Sequence, residues 1–581
     1  MTTRRAVAQA LSLLTFVVAV FLLAVYANAQ VEQGRFVGRI VDSQDAGVPG
    51  ASVTVTNTGT NIVQTALTDG VGNFVITPVE AGVYSLSVTA KGFETTTSSN
   101  IEVQVGQVVR EDLQLRVGAA NITVEVNTVQ PLLNTDSATV GQVISNQQLT
   151  DLPLNGRGFF RLAELTPGAA LLPATGNSLA IRPEIVNGNT ISGIRGSAVS
   201  FLLDGVDVSE QHQGGTFIQT SIDALQEFSV QQSPYSAEFN RGGAFFNATT
   251  KSGTNKFHGG VFEFIRNDKL DARNYFSLTR AILKRNQFGG DIGGPFLIPH
   301  LYNGRDKTFF LVDYEAQRLR QGLVESGTVP TAAQRNGDFS AAGLHPIYDP
   351  LTTATAGKVT TRNQFSCNGV LNVICPSRLS PQALAVLAYY PPANTGANNF
   401  EAVPTQAIDW DQFTIRIDHQ INPSNRLFGR WIYINNRETD PNFAPLLKTA
   451  SLTSNGQDIA VGLITNIGPN KVQDFRFHYL PSHVRLSAFL EGPDFNTTNG
   501  ITGFSQLLRP NTGGSFPDFA FSGYNSLQGS QFDQRPKSQD RVAFEPTDNF
   551  TILKGRHVPI PPRILADSVG TTNTSFRMTS G

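Results

Sequence analysis

Two carboxylates in the middle of the chain are the first residues whose spacing could do chemistry. Asp204 and Asp207 lie three positions apart in Leu203-Asp204-Gly205-Val206-Asp207, a separation at which two carboxylates could share a site or bind calcium. Aspartate followed by glycine is also the usual composition of a tight turn, where the side chain hydrogen-bonds to nearby backbone. The turn is the favoured interpretation, and no metal ion is expected.

Other catalytic patterns are incomplete. Lys251-Ser252-Gly253 is similar to one motif of the serine enzymes that react with penicillin, but no lysine in the chain follows a serine by three positions, so the nucleophile motif is missing. The eight histidines include no His-Glu-x-x-His zinc motif, and the chain has no phosphate-binding Gly-x-x-x-x-Gly-Lys-Ser/Thr loop. We therefore expect neither an enzyme nor a cofactor.

The start of the chain predicts export. Arg4 and Arg5 precede an apolar run from Leu11 to Tyr26, and Ala27-Asn28-Ala29 supplies the small residues that precede signal-peptidase cleavage. A single-pass anchor is the alternative, but the run is shorter than the about 20 apolar residues that cross a bilayer. Residues 1–29 are predicted to be a signal peptide.

Composition predicts a mainly β protein. The chain has 44 Lys+Arg against 46 Asp+Glu, and this near neutrality argues against a nucleic-acid partner, which would favour a basic surface. Charged residues make up 15%, below the quarter that is usual in soluble domains, while 53 Gly and 39 Phe suit many strands and turns.

Residues 30–117 read as short strands cut by turns. Strands are predicted at 35–41, 52–56, 73–77, 84–88 and 101–105, and Tyr84, Leu86 and Val88 alternate with serines. Period-2 segments at this spacing predict a small antiparallel β-sandwich with one buried face per sheet.

A family resemblance rests on short runs in the same segment. They are Gly38-Arg39-Ile40-Val41-Asp42, Gly47-Val48-Pro49-Gly50-Ala51-Ser52-Val53, Thr68-Asp69-Gly70, Gly72-Asn73-Phe74, Gly82-Val83-Tyr84 and Lys91-Gly92-Phe93. Together they resemble the carboxypeptidase regulatory-like domain, which implies a non-catalytic sandwich that is also described as a carbohydrate-binding-like fold. A peptidase would need a closely spaced His and Glu as zinc ligands, and no His here has Glu three residues later. Glycan binding stays open, because fold alone does not establish it.

Residues 118–255 carry a second ordered set of motifs. They include Leu152-Pro153-Leu154-Asn155-Gly156-Arg157, Leu165-Thr166-Pro167-Gly168, Ile194-Arg195-Gly196-Ser197, Leu203-Asp204-Gly205-Val206-Asp207 and Lys251-Ser252-Gly253-Thr254-Asn255. In order and spacing they resemble the plug domain of TonB-dependent outer-membrane transporters, in the Oar-like group that carries a regulatory-like domain ahead of the plug. The resemblance implies an α+β plug whose motif residues are Asn155, Gly156, Arg157, Arg195, Gly196, Asp204, Gly205 and Asp207. Arg157 and Arg195 could bind ligand, but are expected to pair with acids of the surrounding wall.

The resemblance also implies an extended segment before the plug, on which a TonB-type energy-coupling protein pulls. The candidate is the short apolar stretch Ile122, Thr123, Val124, Glu125 and Val126. A plain linker strand is the alternative.

The pattern of residues 256–581 predicts membrane-spanning β-strands. In 412–420, Phe413, Ile415 and Ile417 alternate with Thr414, Arg416 and Asp418. An apolar outer face and a polar inner face suit a membrane barrel around a plugged lumen, although a soluble sandwich also alternates. Strands are predicted near 258–266, 286–298, 306–319, 410–421, 425–437, 457–467 and 471–480. Short turns alternate with longer loops, as in outer-membrane barrels.

Cys367 and Cys375 both fall in the longest of these loops. In an exported protein two nearby cysteines most simply form a disulfide. A redox or metal site of the Cys-x-x-Cys type would need closer spacing and more ligands.

The C-terminal part departs from the family pattern. Plugged transporters close about 22 strands, and at roughly 10 residues per strand plus long loops the residues after Asn255 suffice for about half a barrel. Val558-Pro559-Ile560-Pro561-Pro562 is hostile to a strand, and the final residues lack the terminal aromatic strand of such barrels. The expectation is a partial barrel from a truncated or frameshifted chain.

The leading hypothesis is a TonB-dependent transporter or receptor in the outer membrane of a Gram-negative-type bacterium. Its expected partners are a TonB-type protein, outer-membrane lipid and an extracellular ligand that could be a glycan, peptide, siderophore or protein. The alternative is an exported glycan-binding or adhesion protein made of soluble β-domains, which a high-salt wash would release from membranes.

Overall fold

The protein is described by a computed structural model. It describes residues 34–118, 123–126, 140–152, 154–170, 190–191, 199–209, 216, 218, 220–232, 244–273, 275, 279–341, 343–395, 399–447, 449–468, 471–487, 495–501, 516, 519–527, 537–552, 564–565 and 568–574. The predicted signal peptide, Ile122, Arg195 and Gly196 lie outside these residues.

The first unit, here called the sandwich unit, comprises residues 34–118 with one later strand. Its strands are β1 Gly34–Val41, β2 Ser52–Asn57, β3 Val63–Leu67, β4 Asn73–Val79, β5 Gly82–Thr89, β6 Thr95–Val103, β7 Val108–Arg110, β8 Leu113–Gln114 and β9 Thr123–Val126.

Two sheets form the sandwich unit. One runs β4-β1-β7 with β8 also on β1, and the other runs β3-β2-β5-β6-β9. The predicted alternation is confirmed, because Tyr84, Leu86 and Val88 point into the core. The pairs β1 with β7, β1 with β8, and β6 with β9 are parallel, so the sandwich is not purely antiparallel. Sequence reasoning missed β3, β7 and β8 because they are short and weakly patterned.

The second unit, the middle unit, comprises the described residues between 140 and 255. It contains helix α1 Asn146–Asp151, two 3₁₀ segments at Asn155–Arg157 and Phe159–Leu165, and strands β10 Val140–Ser145, β11 Ala169–Ala170, β12 Thr190–Ile191, β13 Val199–Leu203, β14 Val206–Asp207, β15 Leu225–Gln232 and β16 Ala244–Thr250. Its main sheet runs β10-β15-β16-β13-β14. Ser145 caps α1 through a reciprocal capping box with Gln148. Strands and short helices together agree with the expected α+β plug.

The remaining strands belong to the third unit. They are β17 His258–Asn267, β18 Leu283–Pro295, β19 Leu297–Ile298, β20 Tyr302–Asn303, β21 Thr308–Gly322, β22 Glu325–Gly327, β23 Ala354–Ala356, β24 Val359–Thr361, β25 Ser366–Cys367, β26 Val370–Leu371, β27 Phe400–Ala402, β28 Thr405–Asn422, β29 Asn425–Pro441, β30 Thr449–Asn466, β31 Lys471–Ser487, β32 Lys537–Ile552, β33 Ile564–Leu565 and β34 Ser568–Thr574.

A ten-stranded antiparallel sheet, here called the large sheet, is built from the long strands. Its order is β17-β18-β21-β28-β29-β30-β31-β32-β33, with β34 also on β32. Within the described residues it is open, because β17 pairs only with β18. All seven predicted strands are present, and most run several residues longer than predicted. β32 was missed, and β33 and β34 follow the proline-rich stretch.

The two faces of the large sheet differ in polarity as predicted, with charged residues on the inner face and apolar residues on the outer face. Arg416 and Asp418 are 3% and 2% exposed, whereas Phe413 and Ile417 on the opposite face are about four-tenths exposed. Asp474, Arg476 and His478 are likewise buried. Inward apolar residues from β29 to β32 share one core with the middle unit. Of the helices in the described residues, none is both long and apolar enough to cross a membrane.

The long connection between β21 and β28 is structured. It holds small hairpins, α2 Ala332–Arg335, α3 Pro381–Leu387 and 3₁₀ turns at Pro350–Thr352 and Pro376–Arg378. Cys367 and Cys375 are joined by a disulfide in this connection. Elsewhere, α4 spans Phe495–Thr498, and further 3₁₀ turns span Asp268–Leu270 and Pro445–Leu447.

Candidate functional site

The turn between β13 and β14 places Asp204 at the boundary of the middle unit and the large sheet. Leu203 pairs with Val206, so Asp204 and Gly205 are the two loop residues of a hairpin. Their φ angles are 50° and 74°, as a type I′ turn requires, and Asp-Gly is a preferred sequence for that turn. The turn interpretation of this motif therefore agrees with the geometry.

The Asp204 carboxylate is fully engaged. It accepts hydrogen bonds from the backbone N and the Oγ1 of Thr250, both at 2.9 Å, and from Arg416 Nη1 at 3.0 Å. Arg430 Nη1 also pairs with it and donates to Leu203 O at 3.0 Å. Two wall strands, β28 and β29, thus hold one carboxylate of the middle unit.

These contacts decide the charge of Asp204. Burial by itself would raise the pKa of this carboxyl, but Arg416 and Arg430, together with the Thr250 hydrogen bonds, hold the pKa below its usual value. Asp204 is therefore ionised at neutral pH. A buried carboxylate with two guanidinium partners is held strongly in place, because removing either side leaves an uncompensated charge.

Arg476 on β31 holds the same turn through a hydrogen bond to its backbone. Its Nη1 donates to Asp204 O at 2.6 Å, and its other donors form a two-point pair with Asp474 at 3.0 and 2.7 Å. A Cβ atom at Gly205 would collide with this guanidinium. Glycine is therefore required here by its φ angle and by the close approach of Arg476.

Further charges continue along the inner face of the large sheet. Arg416 pairs with Asp418 at 2.9 Å, and Arg430 pairs with Asp458. His478 Nε2 lies 2.9 Å from Asp458 Oδ1, within ion-pair distance although the angle does not suit a hydrogen bond. We call this set of residues, Asp204, Arg416, Asp418, Arg430, Asp458, Asp474, Arg476 and His478, the inner charge network.

Arg157 makes a second contact between the middle unit and the large sheet. Its Nε donates to Glu315 Oε1 on β21 at 3.2 Å, and its Nη2 pairs with Asp223 of the middle unit. The guanidinium also lies 4.0 Å from the ring centre of Phe262 on β17, an arrangement that favours a cation. Arg157 is expected from the sequence to pair with an acidic residue of the surrounding wall, and Glu315 on β21 is an acidic residue in that position.

The Asn155-Gly156-Arg157 turn makes this approach possible. Gly156 and Arg157 have φ of 78° and 54°, and Gln287 Nε2 bridges Gly156 O at 3.3 Å and Glu315 Oε1 at 2.7 Å. Left-handed backbone at Gly156 costs little because glycine has no Cβ.

The other sequence-predicted residues take separate places. Asp207 is half-buried and accepts from Ser209 N at 2.8 Å, whereas Asp204 is held by Thr250, Arg416 and Arg430. Among the described residues, no group of three or more His, Cys, Asp or Glu side chains is arranged to hold a metal ion. Thr123–Val126 forms β9, paired in parallel with β6 at the edge of the sandwich unit. Cys367 and Cys375 lie far along the chain, in the long loop.

Sequence reasoning did not identify Asp223, Thr250, Glu315, Arg430 and Asp458 as site residues. The alternation that singled out Arg416 extends to Arg430 and Asp458 on the neighbouring strands and could have found them. Nothing local to Asp223 or Glu315 indicates their common partner Arg157.

Comparison with known proteins gives two family matches. Residues 249–558 match the family described as "Outer membrane beta barrel domain", and residues 35–116 match the carboxypeptidase regulatory-like domain. A curated relative, the TonB-dependent transporter Oar of Myxococcus xanthus, is 27% identical over 309 residues, which are 50% of this chain and 27% of that protein. The chain thus spans about a quarter of that relative's length.

Solved structures with a similar chain path are distant. The outer membrane transporter YddB of Escherichia coli has a TM-score of 0.41 at 11% identity, covering 72% of this chain and 46% of that one. The siderophore receptor PiuA of Acinetobacter baumannii has a TM-score of 0.32 at 13% identity, covering 75% and 61%.

Proposed function

Because this chain belongs to the outer membrane beta barrel domain family, we propose that it acts as a TonB-dependent transporter or receptor, with the middle unit as its plug. The single observation that carries the proposal is the position of Asp204. An ionised residue of the middle unit is held by arginines from two adjacent strands of the inner face. The polar inner face of an outer-membrane barrel is where a plug is held, and an ionised plug residue that is buried there must meet opposite charges on the wall.

The proposed location is the outer membrane, with the turns Asn422–Asn425 and 467–470 on the periplasmic side and the long loops outside. Outward aromatic pairs such as Tyr314 with Phe413, 4.6 Å apart, support a lipid-facing outer surface. No catalytic step is part of the proposal.

The proposed ligand side is the group of outer loops. Aromatic rings from two separate loops cluster there: Tyr389 lies 5.4 Å from Phe495 and 4.7 Å from Phe516, and Phe516 lies 5.5 Å from Phe519. Phe495 is buried and the other three rings pack against the core, so they hold the two loops in one arrangement, which supports a shared recognition surface built on those loops. A glycan, peptide, siderophore or protein would all be compatible with this surface.

The proposed energy-coupling segment is residues 122–126. Thr123–Val126 is the last strand in the order of its sheet, and an edge strand supports pairing with an incoming strand by β-augmentation. This is the property that an energy-coupling partner would use.

Membrane extraction tests the location. Outer-membrane fractions that hold the full chain are washed with high salt and then with detergent. We expect the chain to stay with the membrane in salt and to leave only in detergent. Release by salt would instead favour the soluble glycan-binding or adhesion protein.

Binding to the periplasmic domain of the host TonB-type protein tests energy coupling. We expect Val124→Pro to weaken binding at least tenfold, because proline removes a backbone donor from the strand. Val124→Ala keeps the donor and should stay within about twofold of the unchanged chain. Equal binding by both variants would show that the segment lies elsewhere.

A further inference from the structure

One end of the sandwich unit touches both other units. Asn255 N, at the end of the middle unit, donates to Gly59 O at 2.9 Å, and Asn61 Nδ2 donates to Asp306 Oδ1 at 3.0 Å. Val105 N hydrogen-bonds to Glu227 of the middle unit. Two turns of the sandwich unit, β2–β3 and β6–β7, therefore form one docking face.

Glu80 adds a charged residue from a third turn to that face. It lies in the turn between β4 and β5, and its Oε1 is 3.3 Å from Arg416 Nη2 and pairs with Arg426 Nη2. Its side chain is 22% exposed. A carboxylate of the sandwich unit thus joins the inner charge network.

The sandwich core fixes the Glu80 turn. Tyr84 is buried, and its hydroxyl donates to Glu80 O at 3.0 Å. The Tyr84 ring packs edge-on against Phe36 at 5.7 Å. The position of Glu80 is therefore determined by the folded sandwich unit rather than by a free loop.

One of the arginines that Glu80 contacts, Arg426, needs a second carboxylate. Arg416 and Arg426 both pair with Asp418, at 2.9 and 3.1 Å. Asp204 is a further partner of Arg416, whereas the ion pairs of Arg426 within the described residues are with Asp418 and Glu80. A largely buried guanidinium that shares its carboxylate with another guanidinium is costly unless a further anion is near. Glu80 supplies that anion, and Arg416 in turn holds Asp204 of the middle unit.

We propose that Glu80 is a positioning residue that completes the inner charge network, so that docking of the sandwich unit and seating of the middle unit in the large sheet are coupled. The coupling runs from Glu80 through Arg416 to Asp204. One consequence rests on the proposed transport function: the sandwich unit must undock before the plug moves.

Docking of the sandwich unit against the other two units is measured with an engineered cysteine pair, Gly59→Cys with Thr254→Cys. A Cβ atom at residue 59 would lie 3.8 Å from Thr254 Cβ, the mean separation in disulfides. The two native cysteines are already joined to each other, so they do not compete. The rate of disulfide formation in outer-membrane fractions under mild oxidant reports the docked population.

We expect Glu80→Gln to slow this reaction at least tenfold. Asp45→Asn is the matched control, because Asp45 is an exposed carboxylate that contacts Arg39 within the sandwich unit, and it should change the rate less than twofold. In a background that carries both Arg416→Gln and Arg426→Gln, Glu80→Gln should have a much smaller further effect. An undiminished effect there would mean that Glu80 only stabilises its own turn, and would overturn the proposal.

Seating of the middle unit in the large sheet is measured with a second engineered cysteine pair, Thr220→Cys with Thr414→Cys. The hydroxyls of these residues, from the middle unit and β28, lie 2.9 Å apart, and Thr414 is two positions from Arg416 on the same inner face. We expect Glu80→Gln to slow this disulfide at least threefold, with Asp45→Asn again as control. A change in docking without a change in seating would overturn the coupling.

Neither measurement uses a ligand or a TonB-type partner. A failed binding or uptake experiment would therefore contradict the proposed function and leave these results standing. Conversely, unchanged disulfide rates would contradict the coupling while leaving transport open.

Discussion

Asp204 Oδ1 and Arg416 Nη1 lie 3.0 Å apart although 212 positions separate the two residues in the chain. The first is a turn residue of the middle unit, and the second points inward from β28 of the large sheet. Both are almost completely buried. The contact therefore reports directly on whether the two units are seated together.

Loss of the Asp204 charge should destabilise this seating. Asp204→Asn leaves Arg416 and Arg430 without a shared anion, and removing one partner from a buried pair typically costs about 3–5 kcal/mol. Thermal unfolding in detergent should show a clearly lower midpoint. Asp207→Asn is the control, because it affects one hydrogen bond of a half-buried strand residue and should cost about 1 kcal/mol. Equal midpoints for the two variants would show that the Asp204 contacts contribute little.

Gly205 offers a test of close packing against Arg476. Gly205→Ala should cost more than Gly50→Ala, although both glycines have similar φ angles of 74° and 69°. A Cβ at Gly50 meets no atom within 4 Å, whereas one at Gly205 collides with the Arg476 guanidinium. Backbone strain alone is about 1–2 kcal/mol, and only Gly205→Ala adds the collision. Unfolding free energies in detergent check the difference, and similar losses would show that Arg476 moves aside easily.

Glu227 should make stability depend on pH. Burial raises its pKa from 4.5 to about 7, the hydrogen bond from Val105 opposes this, and Glu102 adds to it. Because the folded pKa is raised, the native state binds more protons than the unfolded state between those values, and stability falls as pH rises from about 4.5 through 7.

Glu227→Gln should remove most of that pH dependence, because the amide still accepts from Val105 N but does not titrate. At about 1.4 kcal/mol for each pKa unit, the loss across the window is on the order of 3 kcal/mol. Unfolding midpoints between pH 4.5 and 8 measure it. Glu102→Gln should reduce the dependence only in part, and an unchanged slope in Glu227→Gln would assign the effect to another group.

The Cys367–Cys375 disulfide should locally stabilise the long connection between β21 and β28. A short closed loop of this size contributes about 2–3 kcal/mol to the structure it restrains. Replacing both cysteines with serine should speed proteolytic cleavage between residues 338 and 375, with little change in the unfolding midpoint of the whole chain. Reduction of the unchanged protein should give the same cleavage pattern, and unaltered cleavage in both cases would mean that the surrounding hairpins suffice.

Local patterns in the sequence determined the elements and their faces. The alternation around Arg416 predicted the inner face of β28, and Asp204-Gly205 predicted a tight turn, because strand periodicity and turn preference depend on steric contacts between near neighbours. The motif order indicated a plug ahead of a barrel wall. The alternation and the turn are each contained within a few consecutive residues, whereas the motif order extends from Leu152 to Asn255.

The tertiary structure alone decided which charges meet. No spacing in the sequence joins Glu80 to Arg416 or Arg157 to Glu315, because these contacts depend on how the units pack against one another. The parallel pairing of β9 with β6 inside the sandwich unit likewise has no local signal. Ion pairs act over a few ångströms and carry no periodic signature along the chain. The sequence thus specified the charged inner face, and the packing of the units selected the partners.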